Sequence, residues 1–366
     1  MKQEIVAIQL MRALAALLVA FGHAQAEAVV MAARVGATFT PVAGAVTGAG
    51  VDLFFVISGF VMVYASRNLF AQPGGARAFL TRRIARVAPL YWAATMLFLV
   101  ILAAAPNALN SAMPTWGEVF KSFLFIPYAR PDSVWTQPVF KLGWTLEYEM
   151  FFYLVFAALI ALPMRRAVFV LAIAFASLTA FGLLVPQPPG AVAFWLDPII
   201  LEFVAGAVVG ACYFAGARVP KFVALAMMAV GSIALIATLP IIPEGPIGPM
   251  RVVIWGAPAA LMIAAAALGR WRQPPGPMSR AGAMVGDASY ALYLLHPFVL
   301  RACRLVWEQS GLERNAGPVA FIACFAFISV LVAVLVHRSF EIKVTRFVQV
   351  RLDTLMTNSR VLEGAA

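Results

Sequence analysis

Charge is scarce in this 366-residue chain: 12% of its residues are Asp, Glu, Lys or Arg, against 63% hydrophobic. With a mean hydropathy of +0.90, that shortage excludes an ordinary water-soluble domain. Cysteine is scarcer still. Cys212, Cys303 and Cys324 all fall within apolar runs and show no CxxC or Cys/His ligand spacing. They read as small core hydrophobes, so neither a disulfide framework nor a metal site is expected. There is no obvious internal repeat, no low-complexity tract and no soluble domain. The apolar runs are continuous, without the polar/apolar alternation that barrel strands need, so helices rather than a barrel follow.

What is present is ten such runs, at roughly 6–24, 51–66, 88–105, 144–162, 167–185, 193–214, 222–240, 251–269, 286–308 and 317–337. About 20 helical residues cover the ~30 Å apolar slab of a bilayer. The sequence therefore predicts an all-α polytopic membrane protein of about ten transmembrane helices. A single transmembrane domain over 1–340 is expected, then a short cytoplasmic tail over 341–366. If the N-terminus is cytoplasmic, 18 of the 27 basic residues lie on that side and six on the other, with Arg12, Arg301 and Arg304 inside spans. That bias places both termini in the cytoplasm. It also accounts for the net charge of +11 without nucleic acid as a partner. Lys2, the first apolar run and Ala24-Gln25-Ala26 imitate a signal peptide, but Arg12 interrupts the run, and the segment is retained as the first span. The longest joint, about 106–143, is rich in Pro, Trp and Tyr and of a length that is often functional.

Ionisable residues inside the spans mark function by default. Arg12 and His23 are eleven residues apart, three turns plus about 20°, which places them on one face of the first helix roughly 16 Å apart. The second span opens GVDLFFVISGF over 50–60. Its Asp52 reads either as an acceptor that orients the His23 imidazole or as a helix N-terminal cap, and Ser58-Gly59 reads as a helix-packing pair. Arg82, Arg83 and Arg86 precede Pro89 and the Tyr91-Trp92 pair. They suit a phosphate clamp as well as positive-inside anchoring. In WTLEYE over 144–149, Glu147 and Glu149 point about 200° apart and cannot form one dyad, so at most one faces the core. Ser289, Tyr293 and His296 form a polar stripe, and Pro297 predicts a kink beside His296, which is as fit to satisfy that kink as to bind a ligand.

Together, Arg12, Ala15 and His23, GVDLFFVISGF, RRIARVAPLYW over 82–92, WTLEYE, SYALYLLHP over 289–297 and Phe340-Glu341 resemble the acyltransferase-3 family. The likeness is nearest to its exopolysaccharide-production O-acetyltransferases. It covers nearly the whole chain with its motifs in order. It implies transfer of an acyl group, usually acetyl from acetyl-coenzyme A, to a glycan hydroxyl by an enzyme of the bacterial inner membrane. The family's essential Arg and His fall on Arg12 and His23, its Arg-x-x-Arg on Arg83 and Arg86, and its Trp-x-Leu-x-x-Glu on Trp144, Leu146 and Glu149. That singles out Glu149 over Glu147. No fused hydrolase-like domain is expected after the last span.

The expected roles follow. His23 serves as general base or acyl carrier, with Asp52 or Glu149 orienting it. Arg12, Arg82, Arg83, Arg86 and Tyr91 hold the cytosolic donor, while Ser58, Trp144, Tyr293 and His296 meet the acceptor, a polysaccharide or lipid-linked glycan. Membrane lipids surround the protein, and a homodimer stays open. The main rival is a transporter or flippase of lipid-linked glycans, against which no inverted halves with matched broken helices are found. A non-catalytic scaffold is disfavoured by the presence of both His23 and the arginine cluster.

Overall fold

A computed structural model describes residues 5–105, 109, 111–129, 136–185, 190–238, 248–271 and 276–363, with side chains given as far as 354. Lys2, Arg130, Arg272, the Arg360 side chain and part of the 106–143 joint, all invoked above, lie outside the described residues. The helices in chain order are α1 (Val6–Arg34), α2 (Ala49–Ala65), α3 (Gly75–Ala104), α4 (Trp116–Phe123), α5 (Trp144–Leu159) and α6 (Met164–Leu184). There follow α7 (Gly190–Leu196), α8 (Ile200–Phe214), α9 (Lys221–Ala237), α10 (Gly248–Arg251), α11 (Ala257–Leu268) and α12 (Pro277–Asp287). The last are α13 (Ser289–Gln309), α14 (Leu312–Asn315), α15 (Gly317–Val336) and α16 (Ile342–Glu363).

Among the described residues there is no strand, only two isolated bridges, and the protein is all-α. Each of the ten apolar runs is mainly helical among the described residues, the 193–214 run being divided between α7 and α8. Eight helical stretches among the described residues are long and apolar enough to cross a membrane, nine if the pair α12 and α13 counts as one broken span, while α9 falls short at 17 residues. The protein is thus a multi-pass membrane protein.

The chain forms two compact units, Met1–Met62 with Glu202–His337, and Val63–Leu201 with Arg338–Ala366. In the first, α1 packs against α11, α12, α13 and α15, and α9 against α11. The face of α1 that makes this possible is nearly all alanine, with Ala13, Ala15, Ala16, Ala20, Ala24 and Ala28 buried, because without a hydrophobic drive between helices in lipid, close approach is what holds them. Gly59 and Gly206 take the same logic to its limit. A methyl group on Gly59 would lie 2.0 Å from the Phe203 carbonyl oxygen, and one on Gly206 1.9 Å from that of Val56, so α2 and α8 touch backbone to backbone.

The structure corrects the expected end of the first helix. That helix does not stop with its apolar run near residue 24 but continues to Arg34, and the charges on that extension are paired. Arg304 of α13 binds Glu27 of α1 and, at 2.7 Å, Glu308, which also binds Arg34. The 286–308 span also carries a break at Ala288, where α12 and α13 meet at 70°, and α13 is helical through Pro297. Gly286 sits against the backbone of Gln9, and the Gln9 amide donates to the Asp287 carboxylate, which pins α12 to α1 at that bend.

In the second unit, α5 and α16 pack against α3, α6 against α5, and α7 against α6. Phe79, Phe152, Tyr153, Phe156 and Phe175 form its aromatic core. The 106–143 joint contains α4, opened by a capping box in which the Thr115 hydroxyl accepts from the Glu118 N–H while the Glu118 carboxylate accepts from the Thr115 N–H.

Candidate active site

The first unit brings together two histidines 273 residues apart in sequence. His23 Nδ1 lies 2.8 Å from His296 Nε2. The rings are within 19° of parallel with centroids 5.0 Å apart, and so short an N···N distance requires the contact to run along the ring planes, where the lone pairs lie, and not face to face. The two side chains differ in setting: His23 is exposed, and His296 is only 1% exposed. His296 Nδ1 is 3.2 Å from the Leu292 carbonyl oxygen. The polar stripe on α13 is therefore real in space, with Tyr293 centred 6.3 Å from the His296 ring and edge-on to Phe54 at 5.8 Å. Ser289 and Ser58 are both buried. Arg12 donates to the Gln9 side chain at 2.9 Å, extending the Gln9–Asp287 contact that fixes α12.

Asp52 does not orient His23. Its carboxylate, wholly buried, accepts both branches of the Arg251 guanidinium, Nε at 3.0 Å and Nη2 at 2.8 Å. Such a fork is the geometry in which an arginine best neutralises a carboxylate out of water. Arg251 also lies over the Trp255 ring, 5.2 Å from its centre. Trp255 belongs to a π-helical turn, Val252–Gly256, and Gly256 gives room to the buried Glu202, whose Oε1 would be 2.8 Å from a methyl there. Sequence reasoning missed Arg251, Trp255 and Glu202. The signal available was a lone Arg251 at the mouth of an apolar run, one of the six basic residues on the side opposite the termini.

The second unit holds the arginine cluster and the WTLEYE motif. Arg82, Arg83 and Arg86 lie on α3, each half-buried. Arg86 forms an ion pair with the buried Glu341 of the Phe340-Glu341 motif, so the expected clamp shares one arginine with a carboxylate of its own chain. Arg83 packs over the Phe79 ring, and its Nε is buried with no hydrogen-bond partner among the described residues. Tyr91 is fully enclosed and donates to the Ser122 carbonyl at 3.2 Å, a packing role that leaves it unable to reach a donor without rearrangement. Of the two glutamates, Glu147 turns into the core and its carboxylate has no hydrogen-bond partner among the described residues, while the half-buried Glu149 accepts from the Tyr153 hydroxyl one turn later. Trp144 stands edge-on to Tyr148, which stacks on Phe194 at 3.7 Å.

An exposed imidazole in contact with a buried one, on helices of a bundle long and apolar enough to span a bilayer, defines a class: a multi-pass membrane protein with ionisable side chains brought together inside its helical bundle. Residues 5–338 match the acyltransferase domain of the acyltransferase-3 family, and the chain belongs to that family. It is similar to the exopolysaccharide production protein ExoZ of Rhizobium meliloti (strain 1021), 31% identical over 296 residues that cover 80% of this chain and 88% of that protein. It is also similar to the acyltransferase MdmB of Streptomyces mycarofaciens, 26% identical over 286 residues, 72% of this chain and 71% of that protein. No solved structure matches it.

Proposed function

We propose that this membrane acyltransferase transfers an acetyl group from cytosolic acetyl-coenzyme A to a hydroxyl of an exopolysaccharide or other cell-surface glycan, from the bacterial inner membrane. The observation that carries the reading is the His23–His296 contact, which leaves one nitrogen of an exposed ring open to a substrate. His23 takes the acceptor proton as the hydroxyl oxygen attacks the thioester carbonyl carbon. The C–S bond then breaks, and the thiolate receives that proton and leaves as coenzyme A. Positioned proton transfer of this kind contributes about 10²- to 10⁴-fold in rate. For the donor, Arg82 and Arg83 suit the phosphates of the nucleotide, since guanidinium forks match phosphate oxygens and the Arg83 Nε lacks a protein partner among the described residues. The resemblance of the chain to a protein named for exopolysaccharide production supports the acceptor class.

The test is incubation of the purified protein with radiolabelled acetyl-coenzyme A and lipid-linked or free oligosaccharide acceptors. Label should move to the glycan with the parent protein and fail to move with His23→Ala. Absence of transfer by the parent across acceptor classes would instead favour movement of lipid-linked glycans.

A further inference from the structure

A neutral imidazole has one N–H donor and one lone-pair acceptor, and which nitrogen is which is set by what the other one touches. In this pair the assignment can be followed from a fixed end. The partner of His296 Nδ1 is the Leu292 carbonyl at 3.2 Å, and a carbonyl only accepts. The proton of His296 therefore sits on Nδ1. Pro297 adds to this bias, because it has no N–H to offer the Tyr293 carbonyl one turn back, so the backbone beside the ring is rich in acceptors. With Nδ1 protonated, Nε2 of His296 bears a lone pair. That atom is 2.8 Å from His23 Nδ1, so the hydrogen between the rings belongs to His23. The remaining nitrogen of His23, Nε2, then carries its lone pair outward, and it has no hydrogen-bond partner among the described residues.

We propose that His296 is the positioning residue that fixes His23 as the Nδ1–H tautomer, aiming its basic Nε2 at the acceptor hydroxyl. The chain of direction runs from the backbone of α13, through a buried ring, to an exposed one on α1. It does for His23 what a carboxylate does in many hydrolases, but without placing a negative charge in a low-dielectric site, where an unpaired carboxylate is costly. The rigidity of the arrangement comes from the flanks. The Gln9–Asp287 contact pins α12, which leads into α13, to α1, and the Arg304–Glu27 and Arg34–Glu308 pairs tie α13 to α1 beyond the two rings. This role rests on the reading of His23 as the base, and it replaces acceptor contact as the function of His296.

The chain contains only three histidines, so ¹⁵N-histidine labelling of the full-length protein in lipid nanodiscs gives three side chains, assigned with His296→Gln and His337→Gln. His23 should show a protonated Nδ1 and an unprotonated Nε2, and His296 the same. His296→Leu should mix the tautomers of His23 and lower kcat by about 10²- to 10⁴-fold with the KM for acetyl-coenzyme A within about twofold. His296→Gln, whose amide oxygen can accept at nearly the same place, should restore the His23 signature and much of kcat. A His23 protonated on Nε2 in the parent protein, or a His296→Leu variant of parental kcat, overturns the proposal. Parental activity in His23→Ala would instead sink the base assignment while leaving the tautomers as read.

Discussion

At the level of single side chains, the ionic groups of each unit divide by whether they are already committed. Asp52 is committed to Arg251 in a bidentate pair. Arg251→Ala should leave a buried carboxylate uncompensated and lower stability by about 3–5 kcal/mol, read as a fall in melting temperature in detergent. Asp52→Asn with Arg251→Gln should recover part of it. Arg86 is likewise held by Glu341, whereas Arg83 offers a buried Nε without a partner among the described residues. Arg83→Ala should therefore weaken coenzyme A binding, measured by equilibrium dialysis, with little change in melting temperature. Arg86→Ala and Glu341→Gln should resemble each other in stability; a selective loss of coenzyme A affinity in Arg86→Ala would return that arginine to the donor site. His23→Ala should abolish transfer and leave coenzyme A affinity near the parental value, since a residue acting on the chemical step is not needed for docking.

Between elements, the contact that tolerates least is the one between α2 and α8. Gly59→Ala or Gly206→Ala puts a methyl group within about 2 Å of a backbone oxygen, and neither backbone can yield without moving its helix, so a loss of about 1–3 kcal/mol is expected, again visible in thermal denaturation. The Ser58-Gly59 pair announced this in the sequence. All ten apolar segments were legible too, because composition alone decides that a run of that kind becomes a helix in a bilayer. Their ends were not. The first apolar run stops near residue 24, whereas α1 continues to Arg34, and the charges on that extension, Glu27 and Arg34, are paired with Arg304 and Glu308 far along the chain. Such separation also hid the site's wiring: His23 and His296 were each identifiable, but their meeting across 273 positions, and that of Asp52 with Arg251 across 199, are tertiary facts. Family motifs named the residues and said nothing of which atoms touch.

For the whole molecule, the asymmetry of basic residues favours both termini in the cytoplasm and an even number of crossings. A phosphatase fused to the C-terminus should be inactive in intact cells and a fluorescent protein bright; an active phosphatase there would invert the assignment. The bilayer itself is also part of the equation. The helix α9, with 17 residues, is about 26 Å long at 1.5 Å per residue, several ångströms less than the ~30 Å hydrocarbon core of an average membrane. If α9 crosses the bilayer, lipid tails bordering it have to compress to meet it, at fractions of a kcal/mol per ångström, and the protein then carries its own preference for membrane thickness. It should melt higher in nanodiscs of shorter-chain lipid than in those of longer-chain lipid, and in a membrane of mixed composition it should gather short-tailed lipid against that one flank.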